Sequence, residues 1–194
     1  MIDLFRDALA PAGPLALDGV STLATLTGTA GDDSLVGSAG EDVFHMEQGG
    51  DDTVHGGAED DSFYFGASFT AKDHIYGDSG HGHDTLYLDG DYSAGVTLAG
   101  NTLTRIDQIV LAAGHSYALD TGTYANFSFS ISGAGLGAGD SLHVDASGSL
   151  VTYLSLVGGA GDDVLTGGGQ YVTLDGGEGD NTLTSLGGAT SIRD

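Results

Sequence analysis

Gly28-Thr-Ala-Gly-Asp-Asp-Ser-Leu-Val36 runs directly into Gly37-Ser-Ala-Gly-Glu-Asp-Val-Phe-His45, two nine-residue phrases with one pattern. The pattern returns as Gly158-Gly-Ala-Gly-Asp-Asp-Val-Leu-Thr166 and again as Gly176-Gly-Glu-Gly-Asp-Asn-Thr-Leu-Thr184. Their common form is G-G-x-G-x-D-x-U-x, with U a large apolar residue. Each part has a physical role. Glycine lets the backbone take positive φ in a tight loop and aim its carbonyls at an ion. The Asp adds a charged oxygen, and x-U-x is a strand long enough to bury one side chain. One such phrase would be weak, but several in phase predict an all-β, right-handed parallel β-roll or β-helix solenoid whose loops hold Ca2+.

The charge balance supports loops and ions over other uses. Four basic residues, Arg6, Lys72, Arg105 and Arg193, face 28 acidic ones, for a formal charge of −24. Nucleic-acid binding needs Lys and Arg to displace counterions, so it is excluded as a function class. Docking on an anionic membrane is disfavoured for the same reason. The acids are mostly Asp, a poor helix former that prefers turns and caps. With 35 glycines the composition would suggest disorder, except that the apolar residues fall at regular intervals. There is no cysteine, so disulfides do not hold the fold. No apolar run is long enough for a membrane-spanning helix. Met1 to Gly13 lacks the basic n-region and apolar core of a cleaved signal peptide, so export is expected to use another route.

The repeat phase divides the chain. Residues 1–18 form an N-terminal segment in which Ile2, Phe5 and Leu9 share a face before Pro11 and Pro14; a cap on the solenoid and a frayed terminus remain equal readings. Residues 19–87 are the first repeat block, with apolar slots Leu26, Leu35, Phe44, Val54, Phe63, Ile75 and Leu86. In its first repeat the Asp slot holds Ala24, which marks a coil without an ion site. The later Asp slots are Asp33, Asp42, Asp52, Asp61, Asp73 and Asp84. The loop before Asp73 lacks glycine and carries Lys72, so it is expected to bind nothing. Residues 88–157 drop the motif but keep strand-like runs such as Ile109-Val-Leu111 and Tyr153-Leu-Ser-Leu156, which fit wider coils of the same stack; a small separate sandwich is the alternative. Residues 158–194 return to strict phase with Leu165, Leu174, Leu183 and Ile192.

These residues resemble the hemolysin-type calcium-binding (RTX) repeat family, specifically over 28–64 and 158–184 and more loosely over 19–27 and 65–87. The resemblance implies that each nonapeptide is half a coil, and that loops two repeats apart stack and clamp an ion between them. It pairs Asp33 with Asp52, Asp42 with Asp61, Asp61 with Asp84, and Asp163 with Asn181. Carbonyl ligands would come from the early loop positions Gly28, Ala30, Gly31, Gly37, Ala39, Gly40, Gly50, Gly56, Ala58, Gly82, Gly158, Ala160, Gly161, Gly177 and Gly179. All are oxygen donors, as a hard cation prefers. The family further implies a secreted protein, extracellular or on the surface of a Gram-negative bacterium. Its partners would be calcium ions and either the type I secretion machinery or a larger parent chain. The export signal of that family follows its repeats, whereas this chain ends at Asp194.

No catalytic constellation is legible. There is no cysteine nucleophile, G-x-S-x-G elbow, H-E-x-x-H helix or G-K-[ST] loop. The fifth-position acids Asp32, Glu41, Asp51, Asp60 and Asp162 are read as solvated charges. Gly80-His-Gly-His83 has a zinc-like spacing but no third ligand in register. The resulting expectation is a non-enzymatic calcium-binding module that folds or is stabilised when it meets calcium. A calcium-dependent accessory module of a secreted enzyme (protease, lipase or polysaccharide-modifying) and a repeat unit of a surface layer or adhesin are the alternatives.

Overall fold

The computed structural model describes residues 23–78, 82–98 and 101–194. The expected N-terminal cap, residues 1–18, lies outside them. Among the described residues there are strands and no helix, and every strand pairing is parallel. The local reason is the repeat itself. Each x-U-x run is too short for a helix and carries β-branched, aromatic or leucine residues between glycine turns, so it can only add a rung to a stack.

One nine-stranded sheet runs the length of the molecule. Its strands are β1 (Ala24–Thr27), β3 (Asp42–His45), β5 (Ser62–Gly66), β7 (Thr85–Leu88), β10 (Gln108–Leu111), β12 (Ser128–Ser132), β14 (Tyr153–Val157), β16 (Tyr171–Asp175) and β18 (Ala189–Arg193). Opposite its first half lies a four-stranded sheet of β2 (Ser34–Val36), β4 (Thr53–His55), β6 (His74–Tyr76) and β9 (Leu103–Thr104). A five-stranded sheet accompanies the second half, built from β8 (Tyr92–Thr97), β11 (Tyr117–Asp120), β13 (Leu142–Ala146), β15 (Val164–Gly167) and β17 (Thr182–Ser185). The change-over occurs between β7 and β10, where one coil supplies a strand to each of the two smaller sheets.

The register explains both the repeats and their interruption. Leu26 pairs with Phe44, and Leu156 pairs with Leu174, which pairs with Ile192, each step two nonapeptides long. Between them the steps lengthen, as Phe63 pairs with Leu86, Leu86 with Ile109, Ile109 with Ile131 and Ile131 with Leu156. The motif-free stretch therefore makes wider coils of the same solenoid, and the separate-sandwich alternative is not what forms. Wider coils enclose more volume, and buried tyrosines fill it. The Tyr124 hydroxyl accepts from Ile106 N–H at 2.8 Å and donates to Ile106 O at 2.6 Å. The Tyr92 hydroxyl accepts from Phe69 N–H at 3.1 Å and donates to Gly66 O at 2.7 Å. Each ring thus packs the core while its oxygen satisfies a loop backbone that has left the regular ladder.

Inward-facing slots form one continuous core. Phe44, Val54, Phe63, Ile75, Leu86, Ile109, Ile131, Leu142, Val144, Leu156, Leu165 and Leu174 are fully buried. Phe44 and Phe63 stack with ring centroids 5.0 Å apart. Removing the Phe63 ring is expected to cost about 3–5 kcal/mol, from lost burial plus the cavity left in a column that cannot collapse. Urea denaturation of Phe63→Ala in saturating calcium measures this, and a wild-type midpoint would contradict the packing described.

Candidate metal centres

Two edges of the solenoid carry the Asp-slot loops, and on both the aspartates are stacked into ladders. On the edge entered after β1, β3 and β5, Asp33 N–H donates to Asp52 Oδ1 at 3.0 Å and Asp52 N–H to Asp73 Oδ1 at 2.8 Å. On the opposite edge, Asp42 N–H donates to Asp61 Oδ1 at 2.8 Å, and Asp61 N–H to Asp84 Oδ1 at 3.0 Å. That second ladder continues, since Asp84 N–H donates to Asp107 Oδ2 at 3.1 Å. Its upper end is Ala24 N–H on Asp42 Oδ1 at 2.7 Å, in the coil whose Asp slot is empty of acid. In the C-terminal block Leu142 N–H donates to Asp163 Oδ1 at 2.7 Å and Asp163 N–H to Asn181 Oδ1 at 3.0 Å.

All four expected pairs are thus adjacent rungs. In Asp42, Asp73 and Asp163 one carboxylate oxygen serves the coil before it. The other turns back over its own loop: Asp42 Oδ2 accepts from Ser38 N–H at 2.5 Å, Asp163 Oδ2 from Gly159 N–H at 2.7 Å and Asp73 Oδ2 from Thr70 N–H at 2.7 Å. In Asp61 the Oδ2 is buried and has no hydrogen-bond partner. The loop residue that should donate is Gly57, which sits at φ +118 instead. A side chain there would strike the carbonyl oxygen of Ser38 in the loop above. Only glycine lets the two loops approach so closely, and the same approach sets Gly50 against Gly31 O and Gly179 against Gly161 O.

This chemistry fits calcium. Among the described residues no three His, Cys, Asp or Glu side chains converge as a metal-binding group. An ion on these edges must therefore draw on backbone carbonyls as well as aspartate oxygens, the mixture a flexible six- to eight-oxygen calcium shell accepts. Carboxylates this crowded also resist ionisation. Asp61 is pushed up to about 8, chiefly by burial and then by the charges of Asp84, Asp42 and Asp78, with the Asp42 N–H opposing. Burial likewise lifts Asp84 to about 7, helped by Asp107, Asp60 and Asp78. Asp52 rises to about 6 through burial and the charges of Asp73, Asp33 and Asp32. A bound divalent cation would reverse each of these penalties.

One member of the ladders was placed in its slot but expected to bind nothing, and another escaped sequence reasoning. Asp73, set aside because its loop lacks glycine, is fully buried and takes the same slot as Asp52. Asp107 follows no motif, and only its place two residues before Ile109, the apolar slot after Leu86, could have marked it. The fifth-position acids do more than meet solvent: Asp32 Oδ1 accepts from Asp51 N–H at 2.9 Å, Asp60 Oδ1 from His83 N–H at 2.8 Å and Asp162 Oδ1 from Asp180 N–H at 2.9 Å. They form a second, outer set of rungs. His83 enters this network through its backbone, and its sequence partner His81 lies outside the described residues.

Asp52 and Asp73 should now separate by type of loss. Asp73→Ala strands the Asp52 and Thr70 N–H groups and should cost about 1–3 kcal/mol while leaving the calcium count unchanged. Asp52→Ala should remove an ion. Calorimetric calcium titration of both variants decides this, and loss of an ion from Asp73→Ala alone would refute the register.

The RTX calcium-binding nonapeptide repeat model matches four copies in this chain, over residues 24–49, 48–68 and 156–192. No curated protein and no solved structure gives a significant match.

Proposed function

We propose, for a chain whose residues 24–68 and 156–192 are RTX calcium-binding repeats, that it is a non-enzymatic module whose folding is coupled to extracellular calcium. RTX repeats bind Ca2+, and they are typical of proteins secreted by Gram-negative bacteria. On this reading ions occupy the gaps Asp33–Asp52, Asp42–Asp61, Asp61–Asp84 and Asp163–Asn181, each held by aspartate or asparagine oxygens and by carbonyls of the glycine-bearing loops. Residues 19–87 and 158–194 are the ion-binding blocks, and 88–157 is the apolar-cored span that joins them. The observation that carries the proposal is the buried, unpartnered Asp61 Oδ2 lying in a ladder of stacked aspartates. A buried oxygen of this kind calls for a partner, and a cation between the loops would supply one.

Calcium should stabilise far more than magnesium. Magnesium demands a strict octahedron at shorter bonds and gives up its water reluctantly, which stacked carbonyl loops do not suit. Thermal unfolding at matched millimolar concentrations tests this, and equal stabilisation by both ions would contradict the proposed sites.

A further inference from the structure

The outer face of the nine-stranded sheet changes character between its two halves. One outward position runs from Val43 and Ser62 through Gln108 to Ser130, Ser155 and Thr173, uncharged along its whole length. Two residues before that row the repeats carry acids, Glu41 before Val43 and Asp60 before Ser62. In the second half the same position holds Ser128, Tyr153 and Tyr171. The chain has 28 acids, yet the outward residues of β12, β14 and β16 include a single charge, Asp175. Its Oδ2 lies 2.7 Å from Arg193 Nη2.

That neutral half is also a groove. Ser130, Ser155, Thr173 and Ser191 form its floor, and Tyr153 and Tyr171 one side, around an open volume of about 360 Å³. The two tyrosine rings stack with centroids 5.2 Å apart, and Phe127 meets Tyr153 edge-on at 5.2 Å. Phe127 is 70% exposed, Tyr153 47% and Tyr171 40%. Aromatic rings held in water beside a groove, on strands whose other face is core, mark a binding surface.

We propose that this groove binds a neutral polysaccharide, laid along the solenoid axis across β12, β14 and β16. The groove's own groups select that chemistry. An anionic chain would meet no Lys or Arg except Arg193, already held by Asp175, and would approach a net charge of −24. A cation finds no unpaired carboxylate here. A wholly apolar ligand would strip water from the hydroxyl row and leave it unsatisfied. A second copy would bring another charge of −24 to the same side. A neutral glycan offers what remains, apolar C–H faces for the tyrosine rings and hydroxyls for the row. Successive strands place the side-chain hydroxyls about 4.8 Å apart, so the row suits a ligand whose own hydroxyls repeat.

The test follows amide chemical shifts of the full chain in saturating calcium. Cellohexaose, laminarihexaose and mannohexaose are the neutral probes, and hexagalacturonate is the charged control. At least one neutral probe should saturably shift amides of residues 128–132, 153–157 and 171–175, and the control should not. Tyr153→Ala with Tyr171→Ala should weaken that binding about tenfold or more. Ser155→Val keeps a shape that suits a strand but loses the hydroxyl, and should weaken it about fivefold. Tyr64→Ala with Tyr87→Ala, a stacked pair on the first half of the same sheet, should leave it unchanged. Absence of shifts with every neutral probe, shifts centred elsewhere, equal binding of hexagalacturonate, or full affinity in the Tyr153 and Tyr171 double variant overturns the proposal. So does a sugar-free dimer in sedimentation that this double variant disperses, since the face then belongs to a second copy. None of these readouts depends on how many calcium ions are bound.

Discussion

Chelating calcium is expected to abolish most of the far-ultraviolet β signal of this chain and to open residues 28–64 and 158–184 to protease. The reasoning is one of opposed large terms. A net charge of −24 is concentrated on loops that stack, and 35 glycines give the unfolded chain unusual entropy to lose. An ion at a hundred times its dissociation constant contributes about 2.7 kcal/mol, so four sites contribute about 11 kcal/mol. That is the size of the whole stability of an ordinary domain, about 5–15 kcal/mol. The wide central coils are tied by buried tyrosines and an unbroken apolar column instead of by ions. They should be the last part to melt. A spectrum and digestion pattern unchanged by chelator would mean that the apolar ladder alone holds the repeats.

The calcium-free protein should be more stable at pH 5 than at pH 8. Asp61, Asp84 and Asp52 are raised to about 8, 7 and 6 from an ordinary 3.8, first by burial and then by neighbouring carboxylates. Because these folded-state values lie above the unfolded ones, the fold binds more protons than the unfolded chain. Their contribution is full below about pH 4 and is lost as pH rises through 6, 7 and 8. Calcium inverts the trend. It requires the ionised carboxylates, so it must displace those protons, and its affinity should climb over the same window with proton release on binding. Thermal melts in chelator at pH 5 and pH 8 should differ by several degrees in favour of pH 5, while calcium titrations favour pH 8. A chelated protein that gains stability toward pH 8 would show that the ladders are not crowded as described.

How far the sequence carried this picture differs between repeat and spacer. In the repeats a fixed step of nine makes every second apolar slot fall on the same sheet, so Leu26, Phe44 and Phe63 could be placed on one face before any coordinates. The four aspartate pairs were what the resemblance to the RTX repeats implied, and they are adjacent rungs in the structure. In the spacer the period dissolves, and with it the signal. Strand β11 lies outside the strand-like runs that the sequence singled out, yet its Tyr117 and Leu119 pair with Leu142 and Val144. Asp73 was discounted on loop composition, although position in the coil, set by Ile75 two residues on, was the stronger constraint. Lys72 was the informative residue of that loop. Read as an intruder, it is the partner of Asp51 in the preceding coil.

The most direct measurement is anomalous diffraction from crystals grown in calcium. Ions are expected between the loops of Asp33 and Asp52, Asp42 and Asp61, Asp61 and Asp84, and Asp163 and Asn181, with none in the loop of Asp73. Ions found only on the outer faces of the sheets, or an absence of ions from the aspartate gaps, would contradict it.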